Sequence, residues 1–172
     1  APTVKLFAKW IQSDEHKEEL PYSIEVTDRG SEAPLTFTQQ QLWVLAQLFP
    51  NLSTYTIPSS TIFNGRIDIE ALQAALRDIY DRHEVLRTTF ISRNGEPLQV
   101  VHPTPDKIPL ELIDVSQLPD GQRMDEARKH GAQLGRKAWD MEKGPMIRPQ
   151  LVKLSDEEYV LNASFHHIIA DG

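Results

Sequence analysis

The apolar and polar positions of the chain sort into alternating helical and extended blocks. Tyr159-Val160-Leu161-Asn162-Ala163-Ser164-Phe165 has the β-branched and aromatic content of a buried strand. A second such run from Ile147 to Lys153 precedes it, and Ser155-Asp156-Glu157 between them predicts an antiparallel pair. Leu86–Ile91 and Pro97–Val101 flank Arg93-Asn94-Gly95-Glu96, and Asn-Gly between two strand-like runs predicts a hairpin. Further strands are expected at Thr61–Phe63 and, as an edge, at 108–115, with Asn51–Ser60 a polar loop. Helical spacing appears three times after residue 33. Thr38 to Gln41 fits a capping box ahead of the stripe Leu42, Leu45, Ala46 and Phe49, which Pro50 stops. Asp68 caps a helix over 69–84 whose stripe is Leu72, Ala75, Ile79 and Arg82. A polar helix over 122–137 has a thin apolar side at Met124, Ala127, Ala132 and Leu134, weakened by Gly131 and Gly135. The fold class that follows is α+β, with helices packed on a mixed or antiparallel sheet.

The first residues read differently. Thr3 can cap a short helix with Val4, Phe7, Ala8 and Ile11 on one side, and residues 13–33, rich in charge, read as a linker with a short strand at 22–26. The compact domain is expected to span 34–172. Ala1-Pro2 carries no initiator methionine and the sequence stops on a motif, so both ends are expected to be cut from something longer.

Composition removes several function classes. The 172 residues include no cysteine, so there is no disulfide framework, thiolate nucleophile or cysteine zinc site. A net charge of −7 argues against nucleic acid as the main partner. No apolar run approaches membrane-span length, and a reducing cytoplasm is the expected setting. Chemistry concentrates at His166-His167-Ile168-Ile169-Ala170-Asp171-Gly172, where the last strand ends. Strand alternation sends His166 and His167 to opposite faces, one inward and one towards a cleft. An imidazole at a strand terminus with a carboxylate nearby is general-base equipment near neutral pH. A His167/Asp171 metal pair would need helix and further ligands, and none is expected. Ser164 near His166 lacks the geometry of a hydrolase triad. Arg82 on an apolar stripe needs a carboxylate if it is buried, and Asp171 is the candidate.

Four segments carry a family resemblance. His166–Gly172 resembles the HHxxxDG signature of nonribosomal peptide synthetase condensation domains and their acyltransferase relatives. Arg82-His83-Glu84-Val85-Leu86-Arg87-Thr88-Thr89-Phe90 resembles their RHExLRTxF motif at every specified position. Thr36-Phe37-Thr38-Gln39-Gln40-Gln41-Leu42-Trp43 resembles SxAQxRLW, with Thr38 for the alanine and Gln41 for the arginine. Trp139-Asp140-Met141-Glu142-Lys143-Gly144-Pro145-Met146-Ile147-Arg148 resembles PFDLxxGPLLR, with Ala138-Trp139 standing in for Pro-Phe. The first nine residues after Pro2, Thr3 to Ile11, weakly resemble the last helix of a carrier domain, which makes 1–12 the end of such a domain.

The resemblance implies a chloramphenicol-acetyltransferase-like lobe, the N-terminal one of two. It implies amide bond formation between an upstream acyl or peptidyl thioester and a downstream aminoacyl thioester, both held on phosphopantetheine arms. His167 would be catalytic; His166, Asp171 and Gly172 would shape its loop. Arg82, or alternatively Arg87, would pair with Asp171. No cofactor would be bound directly. Partners would be the flanking peptidyl carrier domains, an adenylation domain and the missing C-terminal lobe, without which the chain would be inactive. Epimerisation, or a non-catalytic docking lobe, are the competing expectations.

Overall fold

The computed structural model describes residues 3–5 and 30–170. The expected N-terminal helix beyond Lys5, the strand at 22–26, Asp171 and Gly172 lie outside the described residues. Among the described residues seven strands form two sheets. The smaller is antiparallel, in the order β1 (Glu32–Pro34), β4 (Glu96–Val101), β3 (Thr88–Arg93). The β3–β4 hairpin turns where expected, with Asn94 and Gly95 at φ 54° and 87°.

The larger sheet has the order β2 (Thr56–Asn64), β7 (Glu158–His166), β6 (Ile147–Ser155), β5 (Glu111–Asp114). It is mixed, because β5 runs parallel to β6 and the other pairs are antiparallel. A parallel pair needs a long crossover, and α3 (Asp120–Arg136) supplies it, lying across β2, β7 and β6. The β2 strand is longer than the sequence predicts. Pairing with β7 from Thr56↔His166 to Asn64↔Glu158 draws the loop-like Pro58-Ser59-Ser60 into the sheet, and its edge position accommodates the proline.

Two helices pack at the other end. In α1 (Phe37–Leu48) Leu42, Trp43 and Ala46 meet the core, but Phe49, expected on the stripe, is 55% exposed. Its capping box is Thr36 with Gln39, two residues before the pair predicted. In α2 (Ile69–Arg82) Asp68 is the cap, its Oδ1 accepting from the amides of Glu70 and Ala71. The buried face, however, runs through Leu76 and Tyr80 rather than Ala75, Ile79 and Arg82. The helix is rotated by one position, about 100°, and Tyr80 takes the interior place expected of Ile79. Arg82 is therefore exposed, and the burial that called for a carboxylate is absent.

One core cluster joins these helices to the sheet end through Leu35, Tyr80, Phe90, Ile108, Trp139, Met146 and Ile147. A second, with Ala127, Val152, Leu154 and Val160, lies under α3. Beside it Asn162 donates to Ala127 O (3.3 Å) and Gln150 Oε1 (3.1 Å) and accepts from Ser60 Oγ (2.7 Å), so this buried amide is satisfied. A Cβ on Gly131 would come 2.9 Å from Asn162 Oδ1. Close approach to that network, at the cost of helix propensity, is what the glycine provides.

Candidate functional site

Strand β7 ends on His166, and the chain turns through 167–169. The two imidazoles part as alternation requires. His166 is 3% exposed, whereas His167 is exposed to solvent. His166 is fixed on several sides: its amide donates to Met146 O (2.9 Å), and its Nδ1 accepts from the Ile168 amide (3.0 Å). Its ring meets Trp139 edge-on, centroids 5.8 Å apart at 81°. Trp139 is itself anchored, donating from Nε1 to Thr56 Oγ1 (2.8 Å) under the Arg148 guanidinium, 3.7 Å above the ring. Arg148 in turn donates to the carbonyls of Lys137 and Ala138.

Burial, with the neighbouring charges of His167 and Arg148 adding to it, pushes the His166 imidazole from 6.5 down to about 4. This ring is a neutral acceptor for the turn and not a proton carrier. Its folded-state pKa is depressed, so the unfolded chain binds the proton first as pH falls. The associated stability is full above the unfolded value and is lost between about 6.5 and 4. Urea unfolding of the domain is expected to lose about 3 kcal/mol across that window from this group. His166→Asn, which offers an untitratable acceptor to Ile168 N–H, should remove that part of the slope. Equal slopes for the two proteins would refute the assignment. The carboxylates of Asp114, Asp140 and Asp156 are held below their ordinary value by hydrogen bonds and act at lower pH.

His167 sits between fixed neighbours. Its amide donates to Tyr55 O (2.8 Å), Ile169 N–H returns to His166 O (3.1 Å), and the side chains of Ile168 and Ile169 are buried in the core. His167 lines an open cleft of about 470 Å³ with Thr36, Thr38, Gln39, Tyr55 and Val85. The first turn of α1 lines the same cleft, and Gln39 Nε2 donates to Ile168 O (3.3 Å). Ser164 does not line this cleft; it is buried under α3, near Gly135.

The arginines divide. Arg82 is on the surface, while the Arg87 side chain is 16% exposed and donates to the carbonyls of Tyr80 (3.1 Å), Asp81 (3.4 Å) and His102. It clamps α2 to the loop after β4, with Glu84 also 4.0 Å away. Asp171 lies outside the described residues, and so does either pairing. Among the described residues no helix is long and apolar enough to cross a membrane.

The sequence reading missed Tyr55, which it placed in a polar loop, and the reach of Gln39 to the turn. Trp139 was visible only as a substitution within the PFDLxxGPLLR-like stretch, and its position against His166 had no sequence signal.

The family model described as Condensation domain matches residues 30–172. The chain belongs to the condensation-domain family. Its curated relatives include the linear gramicidin synthase of Brevibacillus parabrevis, one protein of which is 38% identical over 144 residues, 84% of this chain and 2% of that protein. Another protein of the same synthase is 34% identical over 172 residues, 99% of this chain and 3% of that protein. The starter condensation domain of rhizomide synthetase RzmA shares the fold, with a TM-score of 0.74 at 24% identity, covering 83% of this chain and 34% of that one. This condensation-domain chain thus spans a small part of each synthetase and about a third of the rhizomide domain.

Proposed function

We propose that this chain is the His-bearing lobe of a domain that forms an amide bond between two carrier-bound thioesters. The observation that carries the reading is the exposed His167 ring on a turn whose flanking residues are buried and hydrogen-bonded. Such a support holds an imidazole in a cleft while keeping it open to solvent and substrate. The acceptor amine, once neutral, attacks the donor's thioester carbonyl. The tetrahedral intermediate collapses with loss of the donor's phosphopantetheine thiolate, which takes up a proton as the amine nitrogen gives one up. His167 removes the ammonium proton, or holds the amine and stabilises the intermediate. Much of the acceleration comes from holding two already reactive groups together. His166, Asp171 and Gly172 shape the loop, and an arginine pairs with Asp171.

The substrates ride on phosphopantetheine arms of upstream and downstream carrier domains. An adenylation domain and a second lobe complete the assembly, and residues 1–172 by themselves are inactive. Residues 1–12 are the end of the carrier's last helix and a linker follows, in a reducing cytoplasm; the lobe, expected from 34, also takes in Glu32 and Ala33, which pair with β4. A variant of the rhizomide domain, 25% identical with a TM-score of 0.71, is described in complex with C8-CoA and Leu-SNAC, which supports a two-thioester reaction here. The test is to supply the full-length parent with donor- and acceptor-loaded carriers in D2O and read products by intact mass. Amide product on the downstream carrier is expected. Deuterium entering Cα without amide formation would replace this reading with epimerisation, and neither product would leave the docking role.

A further inference from the structure

We propose that Gln39 is a positioning residue for His167: one side-chain amide that locks the first turn of α1 to the turn carrying the imidazole. The inference rests on the reading of His167 given above. Gln39 is half-buried and lines the same cleft as His167. Its Oε1 accepts from the Thr36 amide (2.9 Å), while Thr36 Oγ1 accepts from the Gln39 amide (3.3 Å), closing the capping box. Its Nε2 donates to Ile168 O (3.3 Å), 129 residues away. Thr36 N–H demands an acceptor and Ile168 C=O demands a donor, so only one orientation of the amide serves both. A capping glutamine needs its oxygen alone; the nitrogen is what reaches the histidine turn.

The bonded carbonyl belongs to the residue after His167. Among the described residues the other ties of this turn come from the His166 ring and carbonyl, from Met146 and from Tyr55. Gln39 ties it to the first turn of α1, so it fixes the placement of the turn against that helix. Reacting groups are sensitive to displacement on that scale, where about 1 Å can cost on the order of a hundredfold in rate.

Glutamate separates the two jobs. Gln39→Glu keeps an acceptor for Thr36 N–H and places a negative charge at a helix N-terminus, which favours the helix. As a carboxylate it has no donor for Ile168 O. In the full-length parent with loaded carriers, Gln39→Glu is expected to lower kcat about 10- to 100-fold, with KM for the carriers within about twofold and the unfolding midpoint unchanged or higher. A double-mutant cycle with His167→Ala reads the route. If Gln39 acts through His167, Gln39→Glu has little further effect in the alanine background. A kcat within about twofold of wild type overturns the proposal, as does an equal loss in both backgrounds or a fall in midpoint that accounts for the lost rate. Gln39→Met, which removes both ends of the amide, should lose rate and midpoint together, and an unchanged rate there also overturns it. The His167→Ala arm taken alone reports on the role of the imidazole, so a failure of that reading is seen separately from a failure of this one.

Discussion

Replacing His167 with alanine in the full-length parent lowers the amide-forming rate by about 10²- to 10⁴-fold and leaves the unfolding midpoint where it was. The second half of that expectation follows from burial. The imidazole is exposed, so its removal opens no cavity, and surface changes of this kind stay within about 0.5 kcal/mol. The backbone of the turn keeps its shape because its bonds do not involve the His167 ring: the amide still reaches Tyr55 O, and His166 Nδ1 still accepts from Ile168 N–H. His167→Gln divides the two chemical roles. Glutamine can hydrogen-bond an amine or an oxyanion but does not titrate near neutrality. A glutamine variant that recovers most of the rate identifies a positioner; one as slow as alanine identifies a proton acceptor. Turnover of the alanine variant within about threefold of wild type would sink the role altogether, since general-base contributions begin near a hundredfold.

What could be read from the sequence was local. Asp68 and the Asn94-Gly95 pair specify a cap and a turn through their own backbone and side-chain chemistry, and both stand where expected. The β6–β7 pair was legible because a run of β-branched and aromatic residues with a polar turn has few other uses. The opposite facing of His166 and His167 needed only the period of a strand. The misses are tertiary. Thr36-x-x-Gln39 and Thr38-x-x-Gln41 are equally good capping boxes by pattern; the first forms where Leu35 is buried and Gln39 meets Ile168 O. Residues 56–60 look like loop, and only the partner strand makes them extended. On α2 an apolar stripe ending in Arg82 competed with one through Leu76 and Tyr80, and the larger aromatic won the interior.

That rotation of α2 changes which arginine the domain depends on, and the two can be weighed against each other. Arg87→Met is expected to destabilise the domain by about 1 to 2 kcal/mol, whereas Arg82→Ala should stay within about 0.5 kcal/mol of wild type. Methionine preserves the stem of Arg87 and removes the fork, which leaves the part-buried carbonyl of Tyr80 without this donor, while the His102 carbonyl is open to water. No motif could announce these acceptors, because a carbonyl is the same on every residue. Arg82, in the last turn of α2, contributes at most a few tenths of a kcal/mol to that helix end. Urea midpoints of the two variants decide the matter. The reverse order, with Arg82 the costly loss, would mean that the helix buries its other face in the complete domain. An equal and small effect would mean that the Arg87 clamp is replaced by water.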